Sequence, residues 1–461
     1  MPACKARRID ERASFFRICR VISNLSLWLY GVFMRLAQPL LRRKLYKRAQ
    51  AEPLYGQFIE ERFGHYTQSA RQDWIWIHAV SLGEARTAAI LLEGLRLAMP
   101  GMKLLLTNGT ATGREEGRKL LQDGDMQVWQ PWDSPEVLDR FFLAFKPKMG
   151  LLLETEVWPL LVQRAQVYGV PIMLVNARMS EKSMQQAQRW PALMRPAYAG
   201  LSAVCAQTQD DASRLKTLGA KVQGIFGNLK FDAKPDTVQL ALGQSWRHQL
   251  TAPLVMLASS REGEESSWLE AWHTFIAQQP DVRVNWLIVP RHPQRVNEVE
   301  SLLQSGGLRV SRRSTWGQEG PSLGLDSSAE TTHPTTVVLL GDSLGEMALY
   351  YSLADVALLG GSFEKLGGQN LIEAAACACP IVMGPHTFNF SEASEAAQTS
   401  GAAQRASNMA EAVRLGVETV LNKQVQQKRA HQAAQFAQQH GGATERTVLA
   451  VQELLNSIRG D

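Results

Sequence analysis

The sequence predicts an α/β chain of two Rossmann-like domains facing across a cleft, preceded by a basic, apolar N-terminal helix. Three observations predict it. From residue 74 onward, short apolar runs alternate with runs of helical period, as in a parallel sheet with helices on both faces. The alternation pauses after Gly227 and Asn228 and then restarts for a second stretch of similar length. The chain has 461 residues, too many for one ordinary core but suited to two.

The elements follow in order. Residues 1–50 hold twelve Lys and Arg against Asp10 and Glu11, a net of +10, which leaves −5 for the rest of a chain whose total is +5. A nucleic-acid enzyme spreads basic patches over its folded body, so no nucleic-acid partner is expected. Residues 18–41 are mostly apolar but are interrupted by Arg35. No small-x-small cleavage pattern follows, which argues against a removed signal. The segment is expected to anchor the body, either as a short span or as a helix lying on anionic lipid. A helix packed on the domain is the plainer alternative. The basic run at 42–48 joins the anchor to the body and so puts the body on the cytoplasmic side. Removing residues 1–50 is expected to leave a folded body, because every predicted strand lies beyond them.

Strands are expected at 74–80, 103–107, 126–129, 150–153, 170–176 and 201–207. After the pause they are expected at 253–258, 284–290, 308–311, 336–340, 355–359 and 380–383. This gives an anchor at 1–50, a first domain at 51–235, a helix-bearing linker at 236–252 and a second domain at 253–461. The C-terminal helix from about residue 425 is expected to pack back. A polar insertion at 314–335 reads as a surface loop. The five cysteines show no C-x-x-C spacing and read as reduced thiols.

In such sheets, ligands bind outside the carboxyl ends of the strands, so the chemistry is expected in the loops there. HAVSLGE at 78–84 runs from a strand into a turn and presents Ser81 and Glu84 at a helix start. Glu84 is either a capping carboxylate or a site residue. Glu154 and Glu156 end an apolar strand, where two carboxylates suggest a site. Lys230 sits where the first domain ends, as a hinge lysine or as a partner for a negative group. Arg291, after Pro290, suits a phosphate or carboxylate. GDSLGEM at 341–347 opens a helix. GGQN at 367–370 is a Gly-rich loop opening another, with Asn370 and Glu373 one turn apart. Several such loops on one sheet point to a nucleotide in the second domain. The small-residue loop at 108–113 lacks the Lys of a P-loop. No His/Cys/Asp cluster has metal-ligand spacing, so neither a metal nor another cofactor is expected.

The chain resembles the 3-deoxy-D-manno-octulosonic acid (Kdo) transferases of Gram-negative bacteria. The strings that carry the resemblance are HAVSLGE (78–84), ETEVWP (154–159), VNARMSEKS (175–183), CAQT (205–208), GNLKFD (227–232), REGEE (261–265), VPRHPQR (289–295), GDSLGEM (341–347), GGQNLIEAAA (367–376) and GPHTFNF (384–390). They stand in the family's order. The resemblance implies a GT-B fold, an N-terminal membrane anchor at the cytoplasmic face of the inner membrane, and no metal. It implies inverting transfer of Kdo from CMP-Kdo to a lipid A precursor, lipid IVA. By position, Glu84 matches the general base, and Glu154 and Lys230 match groups that stabilise the transition state. Pro290, Arg291, Leu344, Gly345, Glu346, Asn370, Leu371, Ile372 and Glu373 match the CMP-binding strings. The sequence departs from the family strings at Leu344, Gln369 and 108–111. Another GT-B transferase or a nucleotide-sugar epimerase is the alternative enzyme, told apart by donor choice. A membrane-bound scaffold with a decayed site is the alternative outside enzymes; the intact Glu84, Arg291, Asn370 and Glu373 argue against it.

Overall fold

In the computed structural model, residues 3–67, 73–321 and 337–459 are described, the side chains of 3–20 and 458–459 excepted. The chain forms two compact units. The first comprises residues 1–232 and 442–461, the second residues 233–441.

The first unit holds a seven-stranded sheet built from β1 (Trp74–His78), β2 (Lys103–Asn108), β3 (Met126–Trp129), β4 (Met149–Leu153), β5 (Ile172–Ala177), β6 (Ala203–Ala206) and β7 (Val222–Ile225). The order is β3-β2-β1-β4-β5-β6-β7, and every neighbouring pair is parallel. β1 shows why these residues form a central strand. Trp74 and Trp76 enter the core on one face, while Ile75 and Ile77 enter the core on the other. A strand buried on both faces reads as a continuous apolar run. Chain direction across the sheet reverses between β1 and β4, the switch point at which open α/β sheets take their ligands.

The second unit repeats the plan with β8 (Leu254–Ser260), β9 (Asn285–Pro290), β10 (Arg309–Arg312), β11 (Val337–Leu340), β12 (Val356–Leu359), β13 (Ile381–Met383) and β14 (Ala403–Arg405). Its order is β10-β11-β9-β8-β12-β13-β14, again parallel throughout. The switch point here lies between β8 and β12. β7 and β14 had no counterpart in the predicted strands. Both are short edge strands with half-exposed residues, so neither carries the apolar run that marks a buried strand.

Two features differ from the reading of the sequence. The helix Ala443–Arg459 belongs to the first unit, not the second. Ala443, Val448, Val451 and Leu455 pack with Ala88, Leu91 and Leu95, and the Asp232 carboxylate accepts from the backbone N–H groups of Gly442 and Thr444. Residues 237–249 form the helix expected in the linker, but that helix belongs to the second unit rather than joining the two. The polar insertion is described only to residue 321, and 322–336 lie outside the described residues.

The N-terminal helix runs from Ala3 to Ala51. Among the described residues no helix is long and apolar enough to cross a membrane. This corrects the spanning form of the anchor: Arg35 and the polar Ser23, Asn24 and Ser26 break the apolar stretch. One side of the helix is packed. Leu27 joins the first unit's core, Leu45 packs with Tyr55, Phe63 and Trp129, and Gly31 lies close against Pro135. The Tyr30 hydroxyl reaches buried Asp133, whose carboxylate also accepts from Leu160 N and Leu161 N. The expectation that residues 1–50 are dispensable for folding therefore changes, because their removal strips cover from a core. Another side of the same helix exposes Val21, Ile22, Leu25, Trp28, Leu29, Phe33, Leu36 and Leu40.

Candidate active site

The switch point of the first sheet gathers the charged residues that the sequence singled out. Glu84 follows β1. Ser81 is the N-cap of the helix Leu82–Ala98 and accepts from Glu84 N at 3.3 Å. The Glu84 carboxylate reaches back and accepts from Val80 N at 2.8 Å and Ser81 Oγ at 2.9 Å. This is a variant of the capping box in which the carboxylate meets the N–H of the residue before the N-cap, so the capping reading of Glu84 holds. It does not exhaust the residue. Burial first, and then the neighbouring Glu156 and Glu154 carboxylates, raise the Glu84 carboxyl to about 7 against the two capping hydrogen bonds, which lower it. A carboxylate poised near neutrality can take a proton at the pH at which it works.

Glu154 follows β4, the neighbour of β1. Its backbone is left-handed at φ 56°, a strained conformation for a non-glycine residue and one that clusters at functional sites. Lys230 Nζ donates to Glu154 Oε1 at 3.1 Å. Glu156 accepts from Trp158 Nε1 at 2.9 Å, and burial with Glu154 nearby raises its pKa. Three carboxylates thus lie within electrostatic reach of one another at two adjacent strand ends, and the Lys230 ammonium, brought in by a later turn, pairs with Glu154.

Asn176, which carries no mark of a role in the sequence, organises this group. It sits in β5 at φ 52°, and its Oδ1 accepts from Leu229 N at 3.0 Å. That bond fixes the turn Leu229–Asp232, which carries Lys230. The partner lies 53 residues away, so only its place in the string VNARMSEKS could have signalled it. His78 ends β1 but is fully buried, held neutral by burial down to about 3, and paired through Nδ1 with Thr107 Oγ1 at 2.7 Å. It is a core histidine.

In the second unit, the loops after β8 and β12 meet at the switch point. Buried Glu264 binds them together. Its carboxylate accepts from Gly361 N at 2.7 Å, Phe363 N at 3.1 Å and Arg261 N at 2.9 Å. Gly360 is obligatory there, since a Cβ would lie 2.5 Å from the Ser259 carbonyl oxygen. Arg291 follows Pro290 at the end of β9, and its backbone N–H donates to Ser260 O at 2.9 Å. Glu373 and Arg291 both act on the buried Tyr351 hydroxyl, which places the two in one neighbourhood. Asn370 is the N-cap of the helix Leu371–Ala376 and accepts from Ile372 N at 3.1 Å. Leu371 and Ile372 are buried, so their side chains belong to the core.

The string 341–347 divides in the same way. Leu344 is 76% exposed, and Gly345 is left-handed at φ 80° with its carbonyl accepting from Gln239 Nε2. The Glu346 carboxylate is already engaged. It accepts from Arg313 Nη2 at 2.9 Å and from the Ser343 hydroxyl. Arg313 in turn lies over the rings of Trp246 and Trp316. Glu346 therefore fixes its loop, and Arg313 had no local signal because its partner is 33 residues away.

Comparison with known proteins bears on both units. Residues 57–233 match the family model described as 3-deoxy-D-manno-octulosonic-acid transferase. The chain is 40% identical to 3-deoxy-D-manno-octulosonic acid transferase of Bordetella pertussis, over 92% of this chain and 99% of that one. It is 30% identical to the Haemophilus influenzae protein of the same name, over 90% and 96%. Among solved structures, a UDP-GlcNAc 2-epimerase from Neisseria meningitidis superposes with a TM-score of 0.54 at 15% identity, covering 83% of this chain and all of that one. That likeness shows the fold alone, and with the two parallel α/β units it supports GT-B architecture. The extent of identity decides the rest: the chain belongs to the Kdo transferase family of glycosyltransferases.

Proposed function

We propose that the protein transfers Kdo from CMP-Kdo to a lipid A precursor, lipid IVA, by a single inverting displacement in which Glu84 is the general base. The observation that carries this reading is the Glu84 carboxyl: partly buried, raised to about 7, and beside Glu154 and Glu156 at the switch point. Glu84 takes the proton of the acceptor hydroxyl as its oxygen bonds to the anomeric carbon of Kdo. The bond from that carbon to the CMP phosphate breaks in the same step, and the electron pair leaves with the phosphate. Arg291 and the backbone N–H groups near Gly345 and Asn370 meet the charge on the nucleotide. Lys230, held by Glu154, meets negative charge on the sugar side. Asn370 and Glu373 hold the nucleoside.

The exposed apolar side of the N-terminal helix supports a place at the cytoplasmic face of the inner membrane. The residues recur at about every third or fourth position, with Arg42, Arg43, Lys44, Lys47 and Arg48 following. Such a helix lies in the interface, with its apolar side in the acyl boundary and its cations on anionic headgroups. A lipid-linked acceptor would be met there.

Incubating the purified full chain with CMP-Kdo and lipid IVA, then weighing the products, tests the reading. Products heavier by whole Kdo residues are expected. Transfer from a UDP-sugar instead, or release of free Kdo with no lipid product, would replace it.

A further inference from the structure

A second charged site lies in the second unit, on the outer edge of its sheet. A cavity of about 580 Å³ opens beside β14 and is lined by Arg405 of that strand, Gln398 of the helix Ser391–Thr399, and Lys428, Arg429 and Gln432 of the helix Lys423–Gln439. The helix positions 425, 428, 429 and 432 share one side. On an ordinary surface helix the side turned toward the sheet is apolar, and further along the same helix it is, at Ala433, Phe436 and Ala437. Over the cavity it instead presents two cations.

None of the residues lining the cavity is acidic. Among the described residues, neither Lys428 nor Arg429 has a hydrogen-bond or ion-pair partner. Arg429 is only half-exposed, and burial alone holds its guanidinium below the usual range. A cation drawn from water without a counter-ion costs free energy that a bound anion restores. Arg405 is anchored from behind. Its Nε donates to Gln398 Oε1 at 3.1 Å, and its Nη1 donates to Gly384 O at 3.1 Å and Thr387 Oγ1 at 3.2 Å. Nη2 is left for a ligand. A fixed guanidinium presented this way is preorganised for an oxyanion.

We infer that this cavity binds a phosphate-bearing anion through Arg405, Lys428 and Arg429. Three cations with no carboxylate suit a phosphate dianion better than a single carboxylate, and the volume leaves room for a small group attached to the phosphate. The Gln398 and Gln432 amides supply neutral hydrogen bonds at the rim. The phosphate comes either from a free ester or from an anionic lipid headgroup. The inference is independent of the proposed reaction, because none of these residues is among those assigned to it.

Two arms on the full chain separate the sources. In one, inorganic pyrophosphate is titrated calorimetrically with CMP in excess. In the other, retention on phosphatidylcholine vesicles with and without phosphatidic acid is measured. Both are run on wild type and on the double variant K428Q/R429Q, which keeps helix-compatible side chains. Saturable pyrophosphate binding weakened about tenfold or more in the variant is expected for a free ester. Phosphatidic-acid-dependent retention that falls in the variant, without pyrophosphate binding, assigns the lipid headgroup. An unchanged melting temperature shows that folding is intact, and the single variant K428Q repeats the test if the double variant does not fold. Equal behaviour of wild type and variant in both arms overturns the site.

Discussion

The Glu84 carboxylate caps the helix that opens at Leu82 and is also raised to about 7 by burial and by its acidic neighbours. The two roles separate in Glu84→Gln. Glutamine still fits a capping box but cannot take a proton at neutral pH, so turnover should fall about 10²–10⁴-fold, the usual worth of a general base. Stability should move the other way. A carboxyl whose folded pKa is raised binds more protons folded than unfolded between its ordinary value and about 7, so its ionisation lowers stability as pH climbs through that window. Above pH 7 the Gln variant should therefore melt at or above the wild-type temperature. A variant that melts lower yet turns over normally would make Glu84 a cap and nothing more. The wild-type pH profile is a second check at this scale: kcat/KM should rise with pH through about 7 as the base ionises, and this limb should vanish in the residual activity of the Gln variant. HAVSLGE made Glu84 legible in the sequence. The carboxylates that tune it were legible only as a pair on a separate strand, because their proximity follows from the parallel pairing of β1 with β4.

At the scale of elements, the N-terminal helix has two apolar sides, one packed and one exposed. The packed side buries Leu27 and Leu45 and half-buries Tyr30, and the other leaves Trp28 and Phe33 more than 60% exposed. Deleting residues 1–50 should lower the denaturation free energy by about 3–6 kcal/mol, from roughly 1.5–3 kcal/mol for each of the fully buried Leu27 and Leu45 side chains removed, as read from urea curves. The double substitution Trp28→Asp and Phe33→Asp should leave that free energy nearly unchanged but reduce co-flotation with anionic vesicles. Equal flotation would remove the helix from the membrane reading. In the sequence the two sides appear as one apolar stretch, because hydropathy records that a side chain is apolar and not what covers it. The edge strands β7 and β14 show the converse. They are held by backbone pairing to a neighbour and need little apolar content of their own.

At the scale of the whole molecule, the proposed reaction divides its chemistry between the units. Carboxylates and Lys230 lie in the first, and Arg291, Asn370 and Glu373 in the second. A phosphate can be held by a guanidinium and backbone N–H groups, and among the described residues no group of three His, Cys, Asp or Glu is placed to hold a metal ion. Transfer should therefore persist in excess EDTA; abolition by chelation with recovery in Mg²⁺ would show that a divalent cation carries the phosphate instead. The sequence by itself determined the two βα runs, because a strand buried on both faces must be written as an apolar run, and it determined the loops after those strands, because turns and helix starts demand particular residues. It also determined the family, through ordered strings that span both units. Only the tertiary structure decided which unit takes the last helix, since Asp232 and the Leu91–Leu95 surface meet it across more than 200 residues of chain. Only the tertiary structure, likewise, showed that Asn176 fixes the turn bearing Lys230 and that Arg313 occupies Glu346. Each is a contact between residues far apart in sequence, made by sheet order and packing, and neither partner carries a local mark of the other.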